Sequence, residues 1–252
     1  MKKNKIDKEI IEHFKNIEMI SRNELFQYYK KYETDLNPKT FAWRLYDLKK
    51  KNVLQEIKKG FYKISTKQPY IPFIDEQIKQ IYNKVTKALF DQRFVVWSTA
   101  WINEFTLHQT FHDFYLFESS YELTESVFYK MKELEIPNVF LRPDKEQIAN
   151  YIIGADSPIV IINLIMKSPV KKINKISVPA LEKILVDLYT DKNTFYMYQG
   201  HELKEIFRNA IKKYLLNYTK LLNYARRRGK ENEIKDYLRS NFGDELGNIL
   251  ND

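Results

Sequence analysis

Residues 20–65, ISRNELFQYYKKYETDLNPKTFAWRLYDLKKKNVLQEIKKGFYKIS, constrain the fold more than any other stretch. Ser21 followed by Glu24 is a capping box: the hydroxyl satisfies an orphan amide of the first turn while the carboxylate reaches back. Leu25, Phe26 and Tyr29 continue at helical spacing, and Asp35-Leu36-Asn37-Pro38 breaks the pattern. Asn37 is a good N-cap and Pro38 a good first residue for a second helix over residues 38–51. Phe41, Leu45 and Leu48 fall on one face of it, pointing inward. Lys39, Trp43, Tyr46 and Lys50 share the opposite face, with Thr40 and Arg44 at its flanks. Residues 53–58 then read as a strand, Lys59-Gly60 as a two-residue turn and 61–65 as the return strand. Helix, turn, helix and basic hairpin, in that order, predict a winged helix-turn-helix.

Charge sharpens that expectation. The chain carries 42 Lys and Arg against 33 Asp and Glu, a net +9. Residues 1–65 hold 16 of the cations and only 9 of the acids, so most of the excess sits in the first quarter. Lys-rich faces often serve only to keep a protein dissolved; on a winged-helix template they form the electrostatic footprint of a phosphate-binding surface. Lys39, Thr40 and Arg44 occupy the first turns, where recognition helices meet base edges and phosphates. Trp43 either packs on the wing or lies against sugar or a thymine methyl. Lys50 shares its face, and Lys58 and Lys59 in the wing are suited to backbone phosphates, which give affinity and salt dependence rather than sequence choice.

The rest of the chain extends the architecture. Isoleucines 6, 10, 11 and 17 with Phe14 mark a supporting first helix, and prolines 69 and 72 interrupt any periodic element. The boundaries that follow are a winged helix over 1–66, a linker over 67–73 and an α/β domain over 74–252. Within it, helical patterns alternate with short strands near 93–97, 114–118, 137–141 and 159–165, the last being the most apolar and therefore central. Residues 169–174 read as a basic loop or edge, Ser177-Val178-Pro179 as the start of a helix over 180–189, and residues 200–241 as two or three helices. The fold class is α+β: a mixed α/β domain with a helical C-terminal layer behind the winged helix.

Composition removes several classes of chemistry. With 44% apolar and 15% aromatic residues the chain is not of disordered composition. It has no cysteine, hence no disulfide, thiol catalysis or cysteine-held zinc, and four histidines (13, 108, 112 and 201) make a histidine-rich metal site improbable. The start, Met1-Lys2-Lys3, has no apolar run behind it, so no signal peptide is expected, and the cytoplasm fits best. No glycine-rich phosphate loop, nucleophile elbow or zinc-protease motif is present. No catalytic residue, metal or cofactor is expected.

Some constellations keep two readings. Asp113 and Glu118 offer two carboxylates from one strand, as a metal-dependent nuclease requires, but no lysine follows at the needed spacing. Ser98, at a strand-to-helix corner, is better placed as a cap than as a nucleophile, because no base lies nearby in sequence. Trp97 and Trp101 suit a core. Lys183 and Asp187, four apart, form either a helix-surface ion pair or part of the domain's working surface. Arg226-Arg227-Arg228 ahead of Gly229 complements a helix C-terminus or binds phosphate.

Taken together, Gly60-Phe61-Tyr62-Lys63-Ile64, Val95-Val96-Trp97-Ser98-Thr99, the run VPALEKILVDL over 178–188 and Tyr224-Ala225-Arg226-Arg227-Arg228-Gly229 resemble the AbiEi family. Its members are antitoxins and transcriptional regulators of bacterial abortive-infection toxin–antitoxin systems. The resemblance covers nearly the whole chain, though each piece is degenerate. It implies a repressor that binds inverted repeats at its own promoter and a C-terminal domain that neutralises a nucleotidyltransferase-type toxin without a stable complex. Separately, a single winged helix reads only one half-site, so two copies pairing on the DNA is an expectation. On the basis of the resemblance the antitoxin surface falls on Trp97, Ser98, Lys183, Asp187, Tyr224 and Arg227. The competing expectations are a nuclease or other phosphotransfer enzyme tethered by the winged helix, and a protein-binding module without enzymatic activity.

Overall fold

The computed structural model describes residues 9–50, 53–64, 67–90, 92–107 and 113–246. Lys51, Asn52, Ser65, Thr66, His108, His112 and the first eight residues, which figure in the expectations above, lie outside that set.

The chain is a mixed α+β structure with two cores. The first gathers around helical residues 9–14 (α1), β1 (Ile20–Ser21), α2 (Arg22–Lys30), α3 (Pro38–Lys50), β2 (Leu54–Lys58) and β3 (Phe61–Ile64). Both caps form as expected: Ser21 and Glu24 bond reciprocally at 3.1 and 2.7 Å, and Asn37 Oδ1 accepts the Thr40 amide at 2.8 Å. Phe41, Leu45 and Leu48 are buried with Ile10, Leu25 and Tyr29. Gly60, at φ +78°, supplies the left-handed residue that closes the hairpin. β1 is an addition. It pairs antiparallel with β3 to give a three-stranded sheet in the order β1-β3-β2. Two residues are too few to show a period in sequence.

Residues 67–73, expected as a linker, are mostly exposed but anchored at Tyr70 and Pro72, which are buried. Tyr70 is buried against Phe105 and Tyr214, and Gln68 O accepts the Leu215 amide at 3.2 Å. The hairpin is seated on the following unit too. Gln55 Nε2 donates to Leu216 O at 2.8 Å, Lys59 N–H donates to Thr219 Oγ1 at 3.1 Å, and Ile57 is buried in the second core.

That second core surrounds α4 (Glu76–Ala88) and a four-stranded sheet of β4 (Val95–Ser98), β5 (Tyr115–Ser119), β6 (Val139–Leu141) and β7 (Ile159–Asn163). The order is β4-β5-β7-β6, antiparallel at β4 and parallel elsewhere, so the branched run of β7 is central. Helix α5 (Thr124–Glu133) leads to β6. Helix α6 (Lys145–Gln147), boxed by Asp144 and Gln147, continues as a π-turn over Ile148–Ile152 toward β7.

One sequence expectation is overturned next. Ser177-Val178-Pro179 does not start a helix; Ile176–Pro179 is strand β9, paired antiparallel with β8 (Val170–Ile173), and the helix begins at Leu181. Ser-x-Pro imitates a cap followed by a first-turn proline, but Asn174 and Lys175 both take positive φ (48° and 70°), as a two-residue type I′ turn requires. The basic segment at 169–174 is thereby a paired strand. Helices α7 (Leu181–Thr190), α8 (His201–Lys213), α9 (Tyr218–Arg227) and α10 (Glu231–Leu246) form the expected helical layer. No helix among the described residues is long and apolar enough to cross a membrane.

Candidate functional site

The exposed face of α3 is built by its buried one. With Phe41, Leu45 and Leu48 fixed in the core, Lys39, Thr40, Trp43, Tyr46 and Lys50 must point outward, and all five are exposed. Trp43 at 57% and Tyr46 at 61% exposure are unusually open for aromatics of their size. Arg44 departs from this face. Its guanidinium lies 2.5 Å from Glu33 and over the Tyr29 ring, leaving 14% of the side chain exposed. The loop between α2 and α3 carries Glu33 back to α3, a long-range pairing that helical spacing alone does not show. In the hairpin, Lys59 is exposed, whereas the Lys58 ammonium lies over Phe61, 4.8 Å from its centroid. Lys49 reaches Glu56 at 2.7 Å and ties the end of α3 to β2.

The residues expected on an antitoxin surface are mostly interior, and that expectation is corrected. Trp97, Ser98, Lys183, Asp187 and Tyr224 are all buried; Arg227 alone is exposed. Trp97 and Trp101 are core residues, and Ser98 Oγ accepts the Ala100 amide at 3.1 Å as a cap. Four of the five buried residues join Glu118, also buried, in one hydrogen-bonded network. Lys183 Nζ donates to Glu118 Oε1 at 2.7 Å and to Asp187 Oδ2 at 2.5 Å. The Trp97 indole N–H donates to Glu118 Oε1 at 2.8 Å, and the Tyr224 hydroxyl to Asp187 Oδ1 at 2.7 Å. Arg228 stands 3.8 Å from Asp187 at the rim and bonds Thr190 Oγ1 at 2.9 Å. The network thus pins β4, β5, α7 and α9 to one another.

Charge placement in this network follows from burial and pairing. Burial presses the Lys183 ammonium toward neutrality, but Asp187 and Glu118 outweigh it and hold the lysine charged. Glu118 is pushed above the usual carboxylate range by burial first, with Asp187 adding to it against Lys183 and Trp97. Its second oxygen, Oε2, is buried without a hydrogen-bond partner. Helix α7 signals all this in sequence: Leu181, Ile184, Leu185, Val186 and Leu188 spread apolar side chains around its circumference, and every residue from Leu181 to Leu188 is buried. Its three charges, Glu182, Lys183 and Asp187, are therefore buried, although an i, i+4 pair such as Lys183 and Asp187 usually sits on a surface.

Buried phenols give a measurable consequence. Burial raises Tyr70, Tyr218 and Tyr224 far above the ordinary value, aided by Glu182 at Tyr218 and Asp187 at Tyr224, and takes Tyr237 to about 12. A phenol raised in the fold stabilises fully below its unfolded value near ~10 and loses that contribution as pH rises. Lys183, also raised, acts in the same direction. Denaturant midpoints are expected to hold through pH 9 and fall above pH ~10, by up to about 1.4 kcal/mol per pH unit for each of Tyr218 and Tyr224. A midpoint unchanged at pH 11 would contradict their burial.

The carboxylates considered for metal chemistry are not brought together. Asp113 accepts the Asn103 amide at 3.2 Å and the Thr99 hydroxyl at 3.4 Å, while Glu118 turns inward to Lys183. Among the described residues no group of three or more His, Asp or Glu side chains could hold a metal.

A third feature was not anticipated as a site. A cleft of about 910 Å³ opens between the β8–β9 hairpin and α9, lined by Lys167, Lys171, Lys220, Arg226 and Arg227, with Glu182 the single carboxylate among its described lining residues. The arginine run divides its duties. Arg228 caps α9 and Gly229 takes φ +69°, with Lys230 N–H bonded to Ala225 O at 2.9 Å and Gly229 N–H to Arg226 O at 3.0 Å. Arg226 and Arg227 instead line the cleft. Its cations come from two distant segments, residues 167–171 and α9, so the phosphate-binding reading of the arginine run hinted at one wall of it and nothing local showed the other.

No curated protein matches the chain. The model of a family of unknown function, DUF6577, matches residues 40–244, which include α3 from Thr40 onward, the buried network and the cleft, and the chain belongs to that family.

Proposed function

We propose that α1 to β3 form a winged helix-turn-helix that binds DNA, with α3 as the recognition helix and the Lys58–Gly60 turn as the wing. The observation that carries this reading is the α3 outer face, where Lys39, Thr40, Trp43, Tyr46 and Lys50 stand exposed on a helix capped by Asn37 and anchored by three core residues. A helix held this way presents its first turns to a major groove. Lys39, Lys50 and Lys59 supply phosphate contacts, and Thr40 and Trp43 reach base edges or the thymine methyl. Arg44 acts within the fold, holding the α2–α3 loop through Glu33.

The chain is further proposed to be a repressor of its own operon and an antitoxin, on the strength of its resemblance to the AbiEi family. The order of the winged helix and the three later matching stretches supports this. Because those stretches feed the buried network, their role is to shape the second unit, and a surface that acts on a nucleotidyltransferase-type toxin lies outside them, Arg227 excepted. The experiment is a hydroxyl-radical footprint on the DNA upstream of the protein's gene, paired with co-expression of the neighbouring gene. Protection of an inverted repeat and rescue of growth are expected. Uniform cleavage would remove the repressor half, and unrelieved toxicity the antitoxin half.

A further inference from the structure

We propose that the cleft between the β8–β9 hairpin and α9 is a second contact site for the DNA backbone, continuous with the wing, so that one duplex is gripped by both units of the chain. This rests on the DNA-binding reading of α3 and extends it to residues that the reading does not use.

Continuity is built into the contacts. Lys49 of α3 pairs with Glu56 on β2, and the turn after β2 gives its Lys59 amide to Thr219, the second residue of α9. From there Lys220, Asn223 and Arg227 recur at i, i+3 and i+7, so they share one face of α9, and all three line the cleft. Seven residues of helix cover about 10 Å, enough to follow a strand past successive phosphates. Lys167 and Lys171 stand on the opposing wall, so cations flank the cleft on both sides.

Three details fit a phosphodiester strand. Glu182 is already engaged, its Oε1 accepting the Asn217 amide at 2.9 Å, so the single carboxylate is turned to the protein. Lys171 is half-buried with its ammonium donating to Tyr70 O, and burial lowers its pKa, the situation of a cation whose environment gains from an incoming anion. Ser168, buried on the lining, has a hydroxyl with no hydrogen-bond partner, so the wall holds polar capacity that the fold leaves unused. Lysines and arginines on both walls suit phosphate oxygens, so the contact is expected to add affinity and salt dependence rather than sequence choice.

The test compares the full chain with a variant carrying Lys167→Gln, Lys220→Gln and Arg227→Gln, all exposed positions, by fluorescence anisotropy at several salt concentrations. Two duplexes are used: one spanning the protected upstream region and one trimmed to the segment covered by α3 and the wing. Expected are a loss of at least about tenfold in affinity for the long duplex and a salt slope shallower by about 2.7, three contacts at ~0.9 each. The trimmed duplex should bind both proteins equally. Equal affinities and slopes on the long duplex would overturn the cleft site while leaving α3 untouched. Weakened binding with an unchanged slope would overturn it as well, since the loss would then not arise from phosphate contacts. If the unsubstituted protein bound neither duplex, the DNA reading itself would fall. A cleft that lost binding of inorganic pyrophosphate on substitution, but no DNA affinity, would belong to a small polyanion instead.

Discussion

Replacing Lys183 by methionine is expected to cost about 3–5 kcal/mol of folding stability at pH 7, about 10 °C or more in Tm, because it leaves two buried carboxylates without their cation. Methionine keeps the length and apolar stem of lysine, so the effect reads charge rather than a cavity. Glu118 and Asp187, each bonded to Nζ in the native protein, would then repel across the vacated position. The pH dependence gives the mechanism away. Without the lysine the Glu118 carboxyl, already raised by burial, loses the cation that lowers it, so stability is present below its unfolded value near ~4 and lost as pH rises above it. The variant should therefore be closest to the native protein near pH 4 and furthest from it at neutrality. Combining Lys183→Met with Glu118→Gln and Asp187→Asn should recover much of the loss, since neutral groups replace the stranded charges. A loss below about 1 kcal/mol for Lys183→Met alone would mean that the triad is hydrated.

The second large effect concerns α3. Charge reversal at Lys39 and Lys50 together is expected to weaken binding to upstream DNA by roughly 10- to 100-fold at moderate salt, with a shallower salt slope. Both side chains are exposed, so the melting temperature should barely move. Arg44→Ala is the counterpart. It removes the partner of Glu33 and the cation over Tyr29, and should lower stability by about 1–2 kcal/mol while leaving affinity per folded molecule nearly intact. Trp43→Ala separates the two readings of that indole: a roughly tenfold loss of affinity without loss of stability marks a groove contact. Should Lys39 and Lys50 prove dispensable, the face assigned to DNA would be wrong.

How far the sequence reveals these features depends on the range of the interaction involved. Ser21 with Glu24, Asn37 with Pro38, and Gly60 act within a turn or two, so the two helices and the hairpin of the first unit could be read directly. Strand β1 could not, because Ile20 and Ser21 pair with residues about 40 positions away and are too short to show alternation. Strand β9 was masked by Ser177 and Pro179, whose local signal mimics a helix start, while the Asn174–Lys175 turn lacks the glycine that usually marks such hairpins.

The buried network escaped for a different reason. Lys183 and Asp187 show the i, i+4 spacing of a surface pair, and only the apolar residues on every other face of α7 reveal that the helix has no surface to put them on. Glu118, the third member, lies 65 positions from Lys183, and in sequence it pairs more readily with Asp113 than with anything on α7. Arg44 shows the same limit on a smaller scale, since its partner is supplied by a loop. The cleft is the extreme case, with Lys167 and Lys171, then Lys220, then the arginines brought together by a hairpin and a helix.

The central claim is that this chain binds DNA through α3 and its wing, and an electrophoretic shift with the DNA upstream of its gene, at two salt concentrations and against scrambled competitor, tests it most directly. The account predicts retention that survives the competitor and weakens steeply between the two salts. Failure to retain that DNA, or retention that the scrambled sequence abolishes and salt does not affect, would contradict it.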